Sequence, residues 1–186
     1  VEIFGHDCSP SDFEPGKIHQ ISKRKILFSA EMTPAVVMYN PKYPHNVGAA
    51  VRAASCFGAK VIIFSGDRLG VLDNPKVRIP REERMKGYFD VTIINDDYPF
   101  NRFPKEVTPV AVEVRQNSEL LPHFEHPENP VYVFGPEDGS LPQNALTHCH
   151  RFLRIPSKHC LSLGNAVNIV LYDRMVKNGI ENFGVT

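Results

Sequence analysis

Asn46 and Arg52 share one short run, Asn46-Val47-Gly48-Ala49-Ala50-Val51-Arg52. An arginine grips anions with a rigid fork of donors, and an asparagine both donates and accepts hydrogen bonds. The plainer alternative is a helix cap at Asn46 followed by a solvated charge at Arg52. The two groups converge only if Asn46 points back from the cap. A second run, Phe134-Gly135-Pro136-Glu137-Asp138-Gly139-Ser140-Leu141-Pro142, frames two carboxylates with glycines. Glycine and proline make this a tight turn, so Glu137 is held in place. Binding of backbone amides is the structural alternative for that carboxylate. A third run, residues 157–164, is a polar loop between Ile155-Pro156 and an apolar helix. Its backbone donors and acceptors suit a flat, polar heterocycle such as adenine.

The elements that must position these groups alternate. Strands are expected over residues 35–39, 61–64, 91–94, 110–114, 131–134 and 151–155. Helices are expected over 46–57, 141–147 and 165–177. The strands are short, continuous and rich in Val and Ile, as strands covered on both faces should be. Strands alternating with helices imply an α/β domain, a single parallel-rich sheet flanked by helices. Residues 1–34 read as an N-terminal extension broken by Pro10, Pro15 and Gly16, with the domain proper over 35–186. The stretch 66–90 is irregular and basic, with Arg68, Lys76, Arg78, Arg81, Arg84 and Lys86. It reads as either a substrate-contacting flap or a solvated surface. The run Lys23-Arg24-Lys25 has the same two readings.

Several classes are excluded. There is no GxxxxGK[ST] phosphate loop, and the acids beside Gly135 would repel phosphate. The GxGxxG dinucleotide fingerprint is also missing. With 21 basic and 21 acidic side chains the chain is not a uniformly basic nucleic-acid binder, though a local patch remains open. No apolar run approaches the roughly 20 residues that span a bilayer, and the opening residues lack a signal-peptide pattern. Cys8, Cys56, Cys149 and Cys160 form no CxxC pair, so a reducing, cytoplasmic setting is the simpler expectation. His148 and His150, and His123 and His126, are spaced like ligand pairs but lack a third ligand, so no metal is expected.

Taken together, in this order, the three runs resemble the SpoU (TrmH) family of RNA ribose 2′-O-methyltransferases in the SPOUT superfamily. The likeness rests on Asn46, Gly48, Arg52, Phe57 and Gly58; on Phe134, Gly135, Glu137, Gly139 and Leu141; and on Ile155, Pro156, Cys160, Leu161, Tyr172 and Asp173. It implies a SPOUT-type fold with a C-terminal trefoil knot, a rare feature that no periodicity announces. It further implies S-adenosylmethionine as cofactor, RNA (tRNA or rRNA) as substrate, and a homodimer joined through the last helix. By position, the cofactor would meet Glu113, Phe134, Gly135, Gly139, Ile155, Cys160, Leu161 and Leu163. Arg52, Asn46, Glu137 and Ser162 would serve catalysis. Ser162 stands where the family carries an asparagine, keeping a hydrogen-bonding oxygen but losing amide reach.

Methyl transfer from a sulfonium to a ribose hydroxyl is an in-line displacement, so the site must position that hydroxyl and help remove its proton. Arg52 is expected to anchor a substrate phosphate and stabilise the developing alkoxide. Whether it also acts as base with phosphate assistance is left open. Asn46 and Glu137 would order the pocket around the ribose. The alternative is a non-catalytic RNA-binding relative that keeps the fold, with or without the cofactor site, which the serine at 162 favours.

Overall fold

The computed structural model describes residues 28–69 and 91–179. The basic stretch 70–90, the run Lys23-Arg24-Lys25 and Cys8 lie outside the described residues. The elements are β1 (Ala35–Tyr39), α1 (Pro44–Phe57), β2 (Val61–Ser65), β3 (Thr92–Asn95), β4 (Thr108–Val112), β5 (Glu119–Leu120), β6 (Pro130–Phe134), α2 (Gln143–Leu146), β7 (Arg151–Arg154) and α3 (Leu163–Lys177).

The seven strands among the described residues form one sheet in the order β3-β2-β1-β6-β4-β7-β5. Every pairing is parallel. Such a sheet must be covered on both faces, and alternate residues do the covering. Val36, Met38, Ile62, Phe64 and Tyr132 point to one face and meet Val47, Ala50, Val51, Val167 and Val170 of α1 and α3. Ala35, Val37, Ile63, Val131 and Val133 point to the other and meet Leu141, Ala145, Cys149 and Phe28. Each fully buried aliphatic or aromatic side chain adds about 1.5–3 kcal/mol of hydrophobic stabilisation. Phe28, inside the stretch expected to be peripheral, is buried and meets Phe103 edge-on at 5.0 Å.

All six expected strands are present. The two-residue β5 was not anticipated, because so short a segment carries no period to read. All three helix starts differ from the sequence expectation. Helix α1 begins at Pro44, with Tyr43 in the cap position and no side-chain cap. Proline's fixed φ suits a first turn, so the helix opens earlier and Asn46 is buried inside it rather than capping it. Helix α3 begins at Leu163, and the cap is Ser162, whose hydroxyl accepts from the Asn165 N–H at 3.3 Å. Asn165 therefore lies in the first turn. Helix α2 is a single turn, shorter than the 141–147 expected.

Helices α1 and α3 touch closely. A Cβ on Gly164 would sit 2.6 Å from the Ala49 Cβ, so only glycine allows this approach. On the far side of α3, His126 Nδ1 meets the Tyr132 hydroxyl at 2.6 Å and His126 Nε2 meets Asp173 at 2.8 Å. Burial lowers the His126 pKa and outweighs the Asp173 carboxylate, which works to raise it. His126 is thus taken up by the core, and His148 stacks on Phe100 at 4.8 Å.

Candidate active site

Strands β6, β4 and β7 are neighbours in the sheet and end on the same side. In open α/β sheets the crevice beyond the carboxyl ends of such strands is where ligands bind. A cleft of about 220 Å³ lies there. Its walls come from the ends of β4 (Val112, Glu113, Val114), of β6 (Phe134, Gly135) and of β7 (Arg154, Ile155), with the following loops adding Cys160, Leu161 and Leu163.

All eight residues expected to meet a cofactor line this cleft: Glu113, Phe134, Gly135, Gly139, Ile155, Cys160, Leu161 and Leu163. Glu137 also lines it, whereas Asn46, Arg52 and Ser162 do not. Ser157 lies in the loop read as a heterocycle site, whereas Val112, Val114, Pro136, Arg154 and Ala166 were not singled out from sequence. The available signal for Arg154 was its place at a strand end directly before Ile155.

The cleft is held by cross-chain hydrogen bonds. Glu113 Oε2 accepts from the Leu141 N–H at 2.9 Å, which fixes the carboxylate at the strand end. A Cβ on Gly135 would press to 3.0 Å from that same Leu141 nitrogen, so the glycine leaves room for the bond. Glu137 accepts from the Lys42 N–H at 2.7 Å, the Tyr43 N–H at 3.3 Å and the Asn46 amide at 2.6 Å. Partial burial works to raise the Glu137 pKa, but these donors prevail and hold it below the ordinary carboxylate range. Asn46 Oδ1 in turn accepts from the Gly164 N–H at 3.3 Å. One buried asparagine thus ties the acid turn to the start of α3. The carboxylate has the amide-binding role that was open from sequence.

Asp138 faces outward and is gripped by Arg68 through two bonds of 2.7 Å, with Lys42 at 3.4 Å. The Arg68 guanidinium, more than Lys42, drives the Asp138 carboxyl far below its usual range. Arg52 is exposed on α1.

The donor set fits a nucleoside cofactor. Val112, Phe134, Leu161, Leu163 and Ala166 give apolar walls for a flat ring. Residues 156–161 make no backbone–backbone hydrogen bond to another described residue, so their C=O groups and, Pro156 apart, their N–H groups are available to a ligand. Among the described residues no group of three or more His, Cys, Asp or Glu could hold a metal ion.

Comparison with known proteins agrees with this architecture. Residues 33–172 match the SpoU rRNA Methylase family. The chain is 26% identical over 174 residues to the Methanocaldococcus jannaschii tRNA (cytidine-2′-O-)-methyltransferase TrmJ, covering 80% of this chain and 70% of that protein. It superposes on the crystal structure of the A. aeolicus TrmH/SpoU tRNA modifying enzyme with a TM-score of 0.65 at 19% identity, covering 80% of this chain and 76% of the other. It superposes on the SpoU methyltransferase AviRb from Streptomyces viridochromogenes, solved in complex with AdoMet, with a TM-score of 0.62 at 20% identity. That match covers 77% of this chain but spans only 57% of the AviRb chain. These two superpositions establish the fold. The parallel sheet, the strand-end cleft and the match over most of the chain define an RNA methylase of the SPOUT type. The chain belongs to the SpoU rRNA methylase family.

Proposed function

We propose that this protein transfers a methyl group from S-adenosylmethionine to a ribose 2′-hydroxyl of RNA, either tRNA or rRNA. The observation that carries this reading is the cleft itself. Three sequence-distant stretches, 112–114, 134–139 and 154–166, converge on it, and the eight residues assigned to the cofactor by family resemblance all line it. The names of the TrmJ and AviRb relatives point the same way.

When bound, S-adenosylmethionine supplies an electrophilic sulfonium methyl. The chain's own residues would hold and orient it. Backbone groups of Gly135, Ile155 and the loop through Cys160 and Leu161 suit the adenine ring, and Glu113 stands at the strand end beside it. Arg52 binds a substrate phosphate and steadies negative charge on the ribose oxygen, since guanidinium stays protonated and donates in a fixed fork. Asn46 and Glu137 act as positioning residues. They lock the acid turn against α1 and α3, so the cleft wall keeps its shape without reorganisation.

We further propose a homodimer through α3. Ile169, Tyr172 and Val176 form an exposed apolar stripe along that helix, and Tyr172 packs edge-on against Phe57 at 5.7 Å. A trefoil knot in the C-terminal part and a reducing, cytoplasmic setting belong to the same reading, with residues 35–186 as the methyltransferase domain. Cys56 and Cys160 are exposed free thiols, as a reducing compartment allows. Among the described residues no helix is long and apolar enough to cross a membrane.

The second reading is a non-catalytic RNA-binding relative. Ser162 favours it, because its hydroxyl is engaged as the α3 cap. Incubation with methyl-labelled S-adenosylmethionine and bulk tRNA or rRNA separates the two. Label in ribose supports the enzyme. Cofactor binding without transfer supports the binding relative, and no cofactor binding overturns the enzyme.

A further inference from the structure

Tyr43 and His45 stand at the mouth of α1 with their rings stacked, centroids 5.4 Å apart and planes 20° from parallel. Tyr43 is 42% exposed and His45 is exposed, so both rings are open to a ligand. The Lys42 ammonium lies 5.2 Å from the Tyr43 ring centroid. Glu137, which lines the cleft, binds the backbone N–H groups of both Lys42 and Tyr43. The ring pair is therefore fixed to the same turn that forms one wall of the site. Arg52 follows His45 by two helical turns on the same flank of α1, about 10 Å along the axis.

We propose that Tyr43 and His45 are a stacking platform for a nucleobase of the RNA substrate. Lys42 and Arg52 flank the platform as phosphate contacts. The proposal rests on the RNA-methylase reading and adds the residues that seat the nucleotide. Unpaired bases are recognised by stacking on aromatic rings, and cations beside those rings track the backbone. A protein partner would instead call for apolar neighbours around the rings. Here the recorded neighbours of the Tyr43 ring are His45 and the Lys42 ammonium, and Glu137 of the acid turn binds the Tyr43 N–H. Because Glu137 holds the backbone beneath Tyr43, the base is delivered beside the cleft.

The test is binding of labelled bulk tRNA and rRNA to the full chain across a salt series, with S-adenosylhomocysteine binding measured in parallel. Tyr43→Ala should weaken RNA binding about tenfold or more, the scale of one lost base stack. Tyr43→Phe and Tyr43→Trp should stay within about threefold of the unaltered chain. The slope of log affinity against log salt should be unchanged in Tyr43→Ala and about one unit shallower in Lys42→Ala. S-adenosylhomocysteine binding should be the same in all of them. His45→Ala, at an exposed position, should also weaken RNA binding and carries the test if Tyr43→Ala does not fold. Unaltered RNA affinity in the folded variants overturns the platform alone. Cofactor binding without RNA binding by the unaltered chain overturns the RNA reading and the platform together.

Discussion

The side-chain amide of Asn46 donates to Glu137 Oε1 at 2.6 Å, joining the first turn of α1 to the acid turn after β6. Asn46 is 3% exposed, so the bond is shielded from water on one side and each partner is left costly to unpair. Replacing Glu137 by Ala should cost about 2–3 kcal/mol, because one carboxylate serves three donors. Asn46→Ala should cost about 1–3 kcal/mol by leaving the Gly164 N–H unpaired as well. Urea denaturation of each variant measures this, and a change under about 0.5 kcal/mol would remove the tie from the account.

The same carboxylate makes stability depend on pH. Its pKa is lower folded than unfolded, so its contribution is fully present above the unfolded value of about 4.3 and is lost as pH falls through the folded value. The denaturation midpoint of the unaltered chain should therefore drop more steeply than that of Glu137→Gln as pH is lowered from about 5. Parallel curves for the two proteins would contradict the assignment.

Arg52→Ala should lower methyl transfer about 100-fold or more while S-adenosylhomocysteine affinity stays near normal. Arg52 is exposed and does not line the cleft, so its loss leaves the cofactor walls intact. Calorimetry beside a transfer assay reads both quantities. Joint loss of binding and transfer would point to misfolding or a misassigned role.

Ser162 offers a cleaner probe because its cap and its chemistry can be separated. Ser162→Ala should cost about 1 kcal/mol in stability through loss of the cap. Asparagine caps as well as serine, so Ser162→Asn should keep the stability. A rise in transfer rate with Asn would show that the serine limits the reaction. An unchanged or lower rate would show that it is no handicap.

Gly164→Ala should destabilise by about 1–3 kcal/mol, since the new methyl would collide with Ala49. Pairing it with Ala49→Gly should recover part of that loss, because the two sites share one contact. Additive losses in the double variant would argue against direct packing of these two positions.

Much of this was readable from the chain. The strands announced themselves through runs such as Val131-Tyr132-Val133-Phe134, apolar at every position because both faces are covered. The cleft walls were legible because Gly135, Glu137 and Ile155 follow strand ends and Cys160 lies in the polar loop leading into α3. What was hidden depended on contacts between distant residues. Nothing local in Asn46 distinguishes a cap from a buried bridge; the difference is made by Glu137 and Gly164. Likewise, Pro44 sets the helix start two residues earlier than the asparagine suggests. The strand β5 owes its existence to pairing with β7, not to any pattern of its own.

The sheet order has a consequence for how the molecule is made. Strand β6 sits between β1 and β4, yet it is sixth of the seven strands along the chain. Until residues 130–134 have left the ribosome, β3-β2-β1 is a part-sheet with a raw inner edge, and β4 and β5 lack a partner strand because β7 follows β6 in the chain. Closure of the core is thus a late event in synthesis, governed by contacts far apart in the chain. A nascent polypeptide stalled before Phe134 would expose the unpaired edges that invite aggregation.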